Sequence, residues 1–228
     1  MIRKHNSQFD EVRKRLDSAC RGAGRSPESV RLLAVSKTHP ASAVRRLQSL
    51  GQSAFGESYV DEAVSKIDEL ADLDLEWHFI GPIQSNKTRA IASHFDWVQS
   101  VDRAKIIRRL HDQRPADMAP LNVLLQVNID HEPQKAGCHP DELAKLAAAV
   151  AECEHLVLRG LMAIPAPREG FDAQKAVFEN LYALYRNLQD THPNIDTLSA
   201  GMSADLEAAI AAGSTMVRVG TALFGARN

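Results

Sequence analysis

The amino-acid sequence predicts an α/β protein, a single (β/α)8 barrel of the TIM type with an extra helix at its N-terminus. Short apolar runs rich in β-branched and aromatic residues alternate with helical segments almost from end to end. Strands that alternate with helices run parallel, and a total of eight such runs favours closure into a barrel. An open doubly wound sheet is the alternative.

Eight segments match the pattern of buried parallel strands. They are residues 31–36 (RLLAVS), 52–56 (QSAFG), 76–81 (EWHFIG), 96–101 (DWVQSV), 122–129 (NVLLQVNI), 158–164 (LRGLMAI), 196–201 (DTLSAG) and 215–220 (TMVRVG). No linker or shift in composition interrupts the alternation, so we expect one domain over residues 1–228.

The helical stretches between these strands carry apolar residues at i, i+3 and i+4 spacing. The clearest are residues 41–50, 60–70, 102–113, 141–152 and 171–189. Residues 4–21 show helical periodicity ahead of the first strand, and they predict the extra helix.

The charge of the chain argues against nucleic-acid and membrane partners. It carries 27 Lys and Arg against 29 Asp and Glu, a formal net charge of −2, so no overall field attracts polyanions.

The N-terminal segment has no apolar core of a signal peptide, and no apolar run reaches the roughly 18 residues that a membrane span needs. We therefore expect a soluble, cytoplasmic protein.

The cysteines indicate neither a disulfide framework nor a zinc site. Cys20, Cys138 and Cys153 are odd in number and scattered, which is typical of a reducing compartment. His131 and His139 lie near Cys138 in sequence, but a second ligand pair at metal spacing is missing. A loop that precedes a helix explains this cluster better, and we expect no metal.

The segment LLAVSKTHP, residues 32–40, places a lysine at the end of the first predicted strand. Strand alternation sets Leu33, Val35 and Lys37 on one face. If that face is the interior, Lys37 points into the barrel mouth, at the C-terminal ends of the strands where barrels carry their functional residues. A solvated lysine that caps the strand is the alternative.

The last two strand–helix units predict a phosphate site. After the seventh strand the chain passes through Gly201 into Ser203, the predicted N-cap of the next helix. After the eighth strand, Gly220 and Thr221 open a short final turn, ALFGA. Barrels commonly bind phosphate in these two loops, where helix N-termini converge. A simple capped helix is the alternative for either pair taken alone.

Charged residues around these loops restrict what can bind. Asp205 and Glu207 lie in the first turn of the seventh helix, so a bound phosphate requires both carboxylates to point away. Arg218 lies on the same strand face as Gly220, and an arginine inside a barrel is costly without a partner. That partner is either a carboxylate or a ligand. Pyridoxal 5′-phosphate (PLP) would supply an aldehyde for Lys37, a phosphate for the loops and a ring between them.

Five segments of the sequence extend this argument. They are LLAVSKTHP, FGESYVDEA, EWHFIGPIQSNK, LRGLMAIP and LSAGMSADLEAAIAAGSTMVRVGTALFGAR. In this order they resemble the pyridoxal-phosphate homeostasis protein family over essentially the whole chain. The resemblance implies a barrel like the N-terminal domain of alanine racemases, in which Lys37 forms an internal aldimine with PLP. It also implies that Ser203, Gly220 and Thr221 surround the phosphate and that Arg218 faces the pyridine nitrogen.

One position departs from the family pattern. The family reads Gly-Glu-Asn-Tyr after the second strand, whereas this chain has Ser58 between Glu57 and Tyr59. Serine lacks the reach of an amide side chain, so a ligand contact made by that Asn is not expected here.

Three further residues have two interpretations each. Met162 ends the sixth strand and is assigned to the ligand site, where it would pack on a ring face, with a place in the core as the alternative. His78 alternates with Trp77 and Phe79, and it is interpreted as an interior histidine with satisfied hydrogen bonds. Lys87 follows the GPIQ turn, and it is interpreted as a surface lysine rather than a second reactive amine.

The predicted function is to hold PLP on Lys37 for intracellular buffering or delivery, without significant turnover of amino acids. The expected partners are PLP and, for delivery, PLP-dependent apoenzymes, and a monomer is expected. Two enzymes are the alternatives: an amino-acid racemase and a Schiff-base aldolase acting on a phosphorylated sugar. In such aldolases the lysine tends to lie on a later strand.

The racemase alternative lacks a second catalytic group. Racemisation needs an acid or base on each face of the α-carbon, and similar racemases take one from a tyrosine of an additional β domain. Eight strand–helix units leave no segment for such a domain. Tyr182 and Tyr185 fall on an outer helix, which leaves Tyr59 to reach the mouth. Arg218 only donates hydrogen bonds, so it would also keep the pyridine nitrogen unprotonated and the ring a poor electron sink.

Overall fold

The alternating segments close into a barrel. The strands are β1 (Arg31–Val35), β2 (Ala54–Glu57), β3 (Glu76–Phe79), β4 (Trp97–Val101), β5 (Leu121–Val127), β6 (Leu156–Ala163), β7 (Thr197–Ser199) and β8 (Met216–Val219). This computed structural model describes residues 2–225 and the side chains from residue 7 onward. Its eight strands pair in parallel and in chain order. Val219 of β8 lies opposite Ala34 of β1, so the sheet has no open edge. The predicted (β/α)8 barrel is confirmed.

Helices follow the strands around the outside. They are α1 (Ile2–Gly22), α2 (Ala41–Gln48), α3 (Val60–Glu69), α4 (Thr88–His94), α5 (Ala104–Gln113), α6 (Leu143–Ala151), α7 (Phe171–Gln189), α8 (Leu206–Ala211) and α9 (Thr221–Phe224). The sequence analysis did not single out α4, because seven residues are too few for the periodicity to stand out. Ala226, the last residue of the predicted final turn, lies outside the described residues.

Several strands are shorter than predicted. The third ends at Phe79 rather than Gly81, because Gly81 lies against the backbone that follows β2. A Cβ at Gly81 would lie 2.2 Å from the carbonyl oxygen of Ser58. Pro82 follows and has no N–H for a strand ladder. This close contact joins the loops after β2 and β3 at the mouth of the barrel.

The interior of the barrel is separate from the core between strands and helices. Leu33, Ala54 and Met216 form one interior cluster from β1, β2 and β8. Leu32 and Ala34, on the other face of β1, belong to the larger core that the helices cover. Alternation along β1 therefore sets Leu33 inward, as the sequence predicts.

The extra helix α1 is held on the barrel by one apolar stripe. Phe9, Val12, Leu16 and Cys20 recur every three or four residues and are buried in the outer core. The stripe packs α1 against α8 and α9, beside the loops that follow β7 and β8. Within residues 2–225, no helix combines the length and apolarity needed to cross a bilayer.

Candidate functional site

A cavity of about 300 Å³ lies at the C-terminal ends of the strands, and we call it the mouth cavity. Five of the six predicted site residues line it: Lys37 after β1, Ser203 after β7, Arg218 on β8, and Gly220 and Thr221 after β8. β1 pairs directly with β8, which is why residues so far apart in sequence share one wall. The barrel thus brings a lysine, an arginine and two hydroxyl groups around one small space.

Lys37 lies in a tight turn rather than on the strand itself. β1 ends at Val35, and the N–H of His39 then donates to the carbonyl of Ser36 over 3.0 Å. Thr38, next to Lys37, has a φ of +66°, a conformation that costs energy for a non-glycine residue. A strained turn of this kind persists only where its surroundings hold it in place, and it directs Lys37 toward the cavity.

A buried charge cluster holds this turn. Lys66 of α3 donates to the carbonyl of Ser36 over 2.9 Å and to Oε1 of Glu57 over 2.6 Å. The hydroxyl of Ser36 donates to the same Glu57 oxygen over 2.6 Å. Glu62 accepts from the N–H of Thr38 over 2.6 Å and also contacts Lys66. Three charged side chains therefore fix the two residues that flank Lys37.

Glu57 occupies an unfavourable environment for a carboxylate. Its side chain is fully buried, and burial raises its pKa although the charge and hydrogen bond of Lys66 oppose the shift. Its second oxygen has no hydrogen-bond partner among the described residues. This cluster was not predictable from the sequence, because Lys66 looks there like any other lysine on an amphipathic helix.

Arg218 is a buried cation held by neutral oxygens. Nη1 donates to the carbonyl and the hydroxyl of Ser199 over 2.7 Å each, and Nη2 donates to the carbonyl of Ala163 over 2.9 Å. Burial lowers the pKa of Arg218 to about 10, with a small opposing effect from Asp205, so the guanidinium stays charged near neutral pH. These bonds go to neutral groups rather than to the carboxylate that the sequence left as one alternative. The positive charge is therefore available to a ligand in the mouth cavity.

The loop after β7 differs from the prediction in one respect. Ser203 does not cap the helix: α8 begins at Leu206, and Asp205 is the residue that precedes it. Asp205 accepts from the N–H of Met202 over 2.6 Å, and this local bond moves the start of the helix beyond Ser203. Ser203 consequently lies in the turn that lines the cavity. Gly201 starts this turn with a φ of +93°.

Both acidic residues near this loop are engaged elsewhere. Asp205 turns back onto the Met202 N–H, and Glu207 binds Arg15 of α1 through both carboxylate oxygens. The hydrogen bond with Arg15 is the largest influence on Glu207, and it lowers the pKa of that carboxyl. Arg15 also donates to the carbonyl of Ser203 over 2.7 Å. The extra helix thus anchors the loop, a role that the sequence did not indicate.

The remaining predicted residues take varied positions. Met162 is fully buried with Trp97 and Leu124 inside the barrel, and it is not part of the cavity wall. Ser58 lines the mouth cavity. Lys87 pairs with Asp61 over 2.6 Å at the surface, as expected of a helix-start lysine.

His39 is a cavity residue that the sequence analysis missed. It lines the mouth cavity next to Lys37 and stacks on Phe224, with ring centroids 4.7 Å apart. Its place in the LLAVSKTHP segment, two residues after Lys37, was the available signal. Tyr59, the tyrosine expected nearest the mouth, is 55% exposed and borders a neighbouring hollow instead.

The histidine and cysteine cluster after β5 is a loop, as predicted. His139 accepts from the N–H of Asp141 and caps the short turn Pro140–Glu142 that leads into α6. Burial raises the pKa of Cys138 to about 12, which keeps the thiol protonated. Among the described residues, no three His, Cys, Asp or Glu side chains come together as metal ligands would.

The fold and the mouth cavity define a class of protein: a (β/α)8 barrel with a lysine, a buried arginine and hydroxyl-bearing loops around a single ligand-sized cavity. The chain belongs to the alanine racemase N-terminal domain family, which matches residues 9–228, and within it to the pyridoxal phosphate homeostasis proteins. The family resemblance noted in the sequence is confirmed.

Named relatives cover nearly the whole chain. The pyridoxal phosphate homeostasis protein of Escherichia coli (strain K12) is 56% identical over 221 residues, 96% of this chain and 94% of that protein. The protein of the same name from Pseudomonas aeruginosa (strain PAO1) is 58% identical over 218 residues, again 96% and 94%. The structure of PipY from Synechococcus elongatus PCC7942 with PLP bound has a TM-score of 0.77 and 40% identity, over 86% of this chain and 93% of PipY.

Proposed function

We propose that this protein binds PLP covalently through Lys37 and holds it for buffering or delivery, without turning over amino acids. The observation that carries the proposal is the mouth cavity, where Lys37, Arg218 and the loops of Ser203 and Thr221 surround one space of about 300 Å³. Further support comes from relatives named pyridoxal phosphate homeostasis protein and from PipY, whose structure holds PLP.

Each part of the cavity suits one part of the ligand. The Lys37 amine condenses with an aldehyde to form one C=N bond and release one water. Ser203 and Thr221 offer hydroxyl donors, and the backbone at Gly220 has no side chain that would keep a phosphate away. Arg218 supplies a fixed positive charge between these ends. When bound, PLP contributes a reactive aldehyde and an electron-accepting ring.

The residues that line the cavity support holding rather than catalysis. A guanidinium donates hydrogen bonds and stays charged, so Arg218 disfavours a protonated ring nitrogen and weakens the ring as an electron sink. Tyr59, the second acid that the racemase alternative names, borders a different hollow and does not line the mouth cavity. Apoenzymes that accept PLP are the proposed recipients, and the proposed location is the cytoplasm.

An absorbance spectrum tests this function. The protein loaded with PLP should show a visible or near-ultraviolet band that borohydride abolishes, and Lys37→Ala should lack it. Lys87→Ala, which removes a lysine that borders the neighbouring hollow, is the matched control and should keep the band. A parent protein without such a band, or a Lys37→Ala variant that retains it, would exclude the proposed function.

A further inference from the structure

A column of polar side chains crosses the interior of the barrel and ends at the mouth cavity. Arg218 donates to the hydroxyl of Ser199 over 2.7 Å, and that hydroxyl donates to Oε1 of Gln99 over 2.7 Å. Nε2 of Gln99 lies 2.9 Å from Nδ1 of His78, and Nε2 of His78 lies 2.6 Å from Glu76. Four consecutive hydrogen bonds therefore connect β8, β7, β4 and β3.

One assignment of hydrogens satisfies every bond in the column. A guanidinium only donates, so Ser199 accepts from Arg218 and gives its own hydrogen to Gln99. The amide of Gln99 then turns its NH2 group to Nδ1 of His78, and the Nε2–H of His78 donates to Glu76. Burial lowers the pKa of His78, in agreement with the neutral ring that this assignment requires. The direction of each bond thus follows from the charge on Arg218.

The column is unusual for its location. Barrel interiors are normally filled by layers of apolar side chains, and buried polar groups are costly unless all are satisfied. His78, Gln99 and Ser199 are nonetheless completely buried. At the base, Arg31 binds Glu76 over 2.7 Å and fixes that end of the column. The other end is Arg218, the member that lines the mouth cavity.

The column determines which part of Arg218 faces the ligand. Its bonds to Ser199 and Ala163 use three of the five N–H groups that a guanidinium carries. A second amide hydrogen of Gln99 points to the sulfur of Met216 at 3.2 Å, so Gln99 is held on more than one side. If Gln99 moved, Ser199 would lose its acceptor, and its hydroxyl would no longer be held in the direction from which it accepts from Arg218, while the two bonds of Arg218 to backbone carbonyls would remain.

The geometry points to Gln99 as a positioning residue for the ligand site, which acts through Ser199 to fix the guanidinium of Arg218. This inference rests on the proposed function, because it concerns the electronic surroundings of the ring that Arg218 would face. Gln99 does not touch the cavity, so its effect on a bound ligand has to pass through the column.

The test compares Gln99→Leu with Gln52→Leu. Gln52 is also a buried glutamine with two hydrogen bonds, to the carbonyls of Leu32 and Ala54 over 2.8 and 2.7 Å, but it lies outside the column. Each protein is loaded with PLP, and its absorbance spectrum is recorded from pH 6 to pH 9 or so alongside the affinities for PLP and pyridoxal. Melting temperatures measure the general loss of stability.

We expect Gln99→Leu to shift the absorbance maximum and to lower the affinities for PLP and for pyridoxal on the order of tenfold each. The preference for PLP over pyridoxal should be retained. Gln52→Leu should lose stability but keep the parental spectrum. Ser199→Ala interrupts the column with a smaller change. It should shift the absorbance maximum away from that of the parent as well, and it replaces Gln99→Leu in the test if the leucine variant does not fold.

Two results would overturn the inference. In the first, Gln99→Leu, or Ser199→Ala in its place, keeps the spectrum and the affinities of the parent. In the second, Gln52→Leu shifts the spectrum as much as Gln99→Leu does, which would indicate a general loss of packing in the barrel. A parent that shows no PLP spectrum would instead exclude the proposed function, so the two failures are distinguishable.

Discussion

Arg15 and Glu207, 192 positions apart in the chain, form a two-point ion pair that joins the N-terminal helix to the helix after β7. The same guanidinium binds the carbonyl of Ser203, so one side chain both fixes the loop and draws a carboxylate away from it. A residue outside the eight strand–helix units therefore helps to fix the loop that lines the mouth cavity.

Arg15→Ala should reduce the ratio by which the protein prefers PLP over pyridoxal, on the order of threefold to tenfold. The reason is that the Ser203 carbonyl loses its hydrogen bond to Arg15 and that the Glu207 carboxylate is released near the proposed phosphate contacts. The affinities of both ligands, measured by titration, give the ratio. Stability should fall by no more than about 1 kcal/mol, since the pair is partly exposed. Arg45→Ala removes a comparable surface pair with Asp72 and should leave the ratio unchanged.

The proposed phosphate contacts of Ser203 and Thr221 have their own test. Ser203→Ala combined with Thr221→Ala should weaken the binding of PLP more than the binding of pyridoxal, because only contacts with the phosphate are lost. The ratio of the two dissociation constants is the measurement. A double variant that prefers PLP as strongly as the parent would show that the phosphate binds elsewhere.

Borohydride reduction of the loaded protein should place the pyridoxyl mass on Lys37. The physical reason is that, of the lysines whose side chains the structure describes, Lys37 is the one that lines the mouth cavity with Arg218. Peptide mapping by mass spectrometry is the measurement. A label found chiefly on Lys87 or Lys135 would contradict the assignment.

Lys66→Met should destabilise the fold strongly, by about 3–5 kcal/mol at neutral pH, because Glu57 is left as an uncompensated buried charge. Denaturant unfolding measures the loss. Lys175→Met, which breaks an exposed pair with Glu179, is the control and should cost less than about 1 kcal/mol.

The loss caused by Lys66→Met should depend on pH in one direction. Burial already raises the pKa of Glu57 above its ordinary 4.5, and removal of Lys66 takes away the largest opposing influence. The folded state then binds a proton that the unfolded state releases, so stability is retained below about pH 4.5 and falls as pH rises through the folded pKa. A loss that stayed constant from acid to neutral pH would show that packing, not charge, is responsible.

The loaded protein should not turn over amino acids at the rate of an enzyme. Typical enzymes reach roughly 1 to 10³ turnovers per second, and we expect values orders of magnitude lower here. Incubation with L-alanine in heavy water follows α-proton exchange and the appearance of the D form. Turnover near one per second that Lys37→Ala abolishes would identify a racemase, and His39→Gln would then be the first variant to examine, ahead of Tyr59.

The sequence predicts the parts of this site that depend on local patterns. Alternation along β1 and β8 is enough to send Val35 and Arg218 to the mouth, because successive side chains on a strand take opposite faces. Lys37 reaches the cavity through the turn that follows β1. Ser203 lies in the cavity wall, but its predicted role as a helix cap is wrong, since α8 begins at Leu206 and Asp205 is the residue that precedes it.

What the sequence does not reveal is pairing over distance. Arg15 meets Glu207 and Lys66 meets Glu57 only after the barrel has closed, and each reads in the sequence as an ordinary charged residue on a helix. Met162 shows the converse limit: its position at the end of a strand suggested a ligand contact, while the packing of Trp97 and Leu124 places it in the barrel core.

The pairing of β1 with β8 has a consequence for how the protein is made. Lys37 leaves the ribosome with the first strand, whereas Arg218 follows with the last, so a growing chain carries the amine long before it has the neighbouring strand of the same wall. The mouth cavity consequently comes into existence in a single late event, the closure of the sheet. A ligand that binds only the closed state adds to folding stability in proportion to the logarithm of its concentration, and supply of the ligand thereby becomes a determinant of how much folded protein persists.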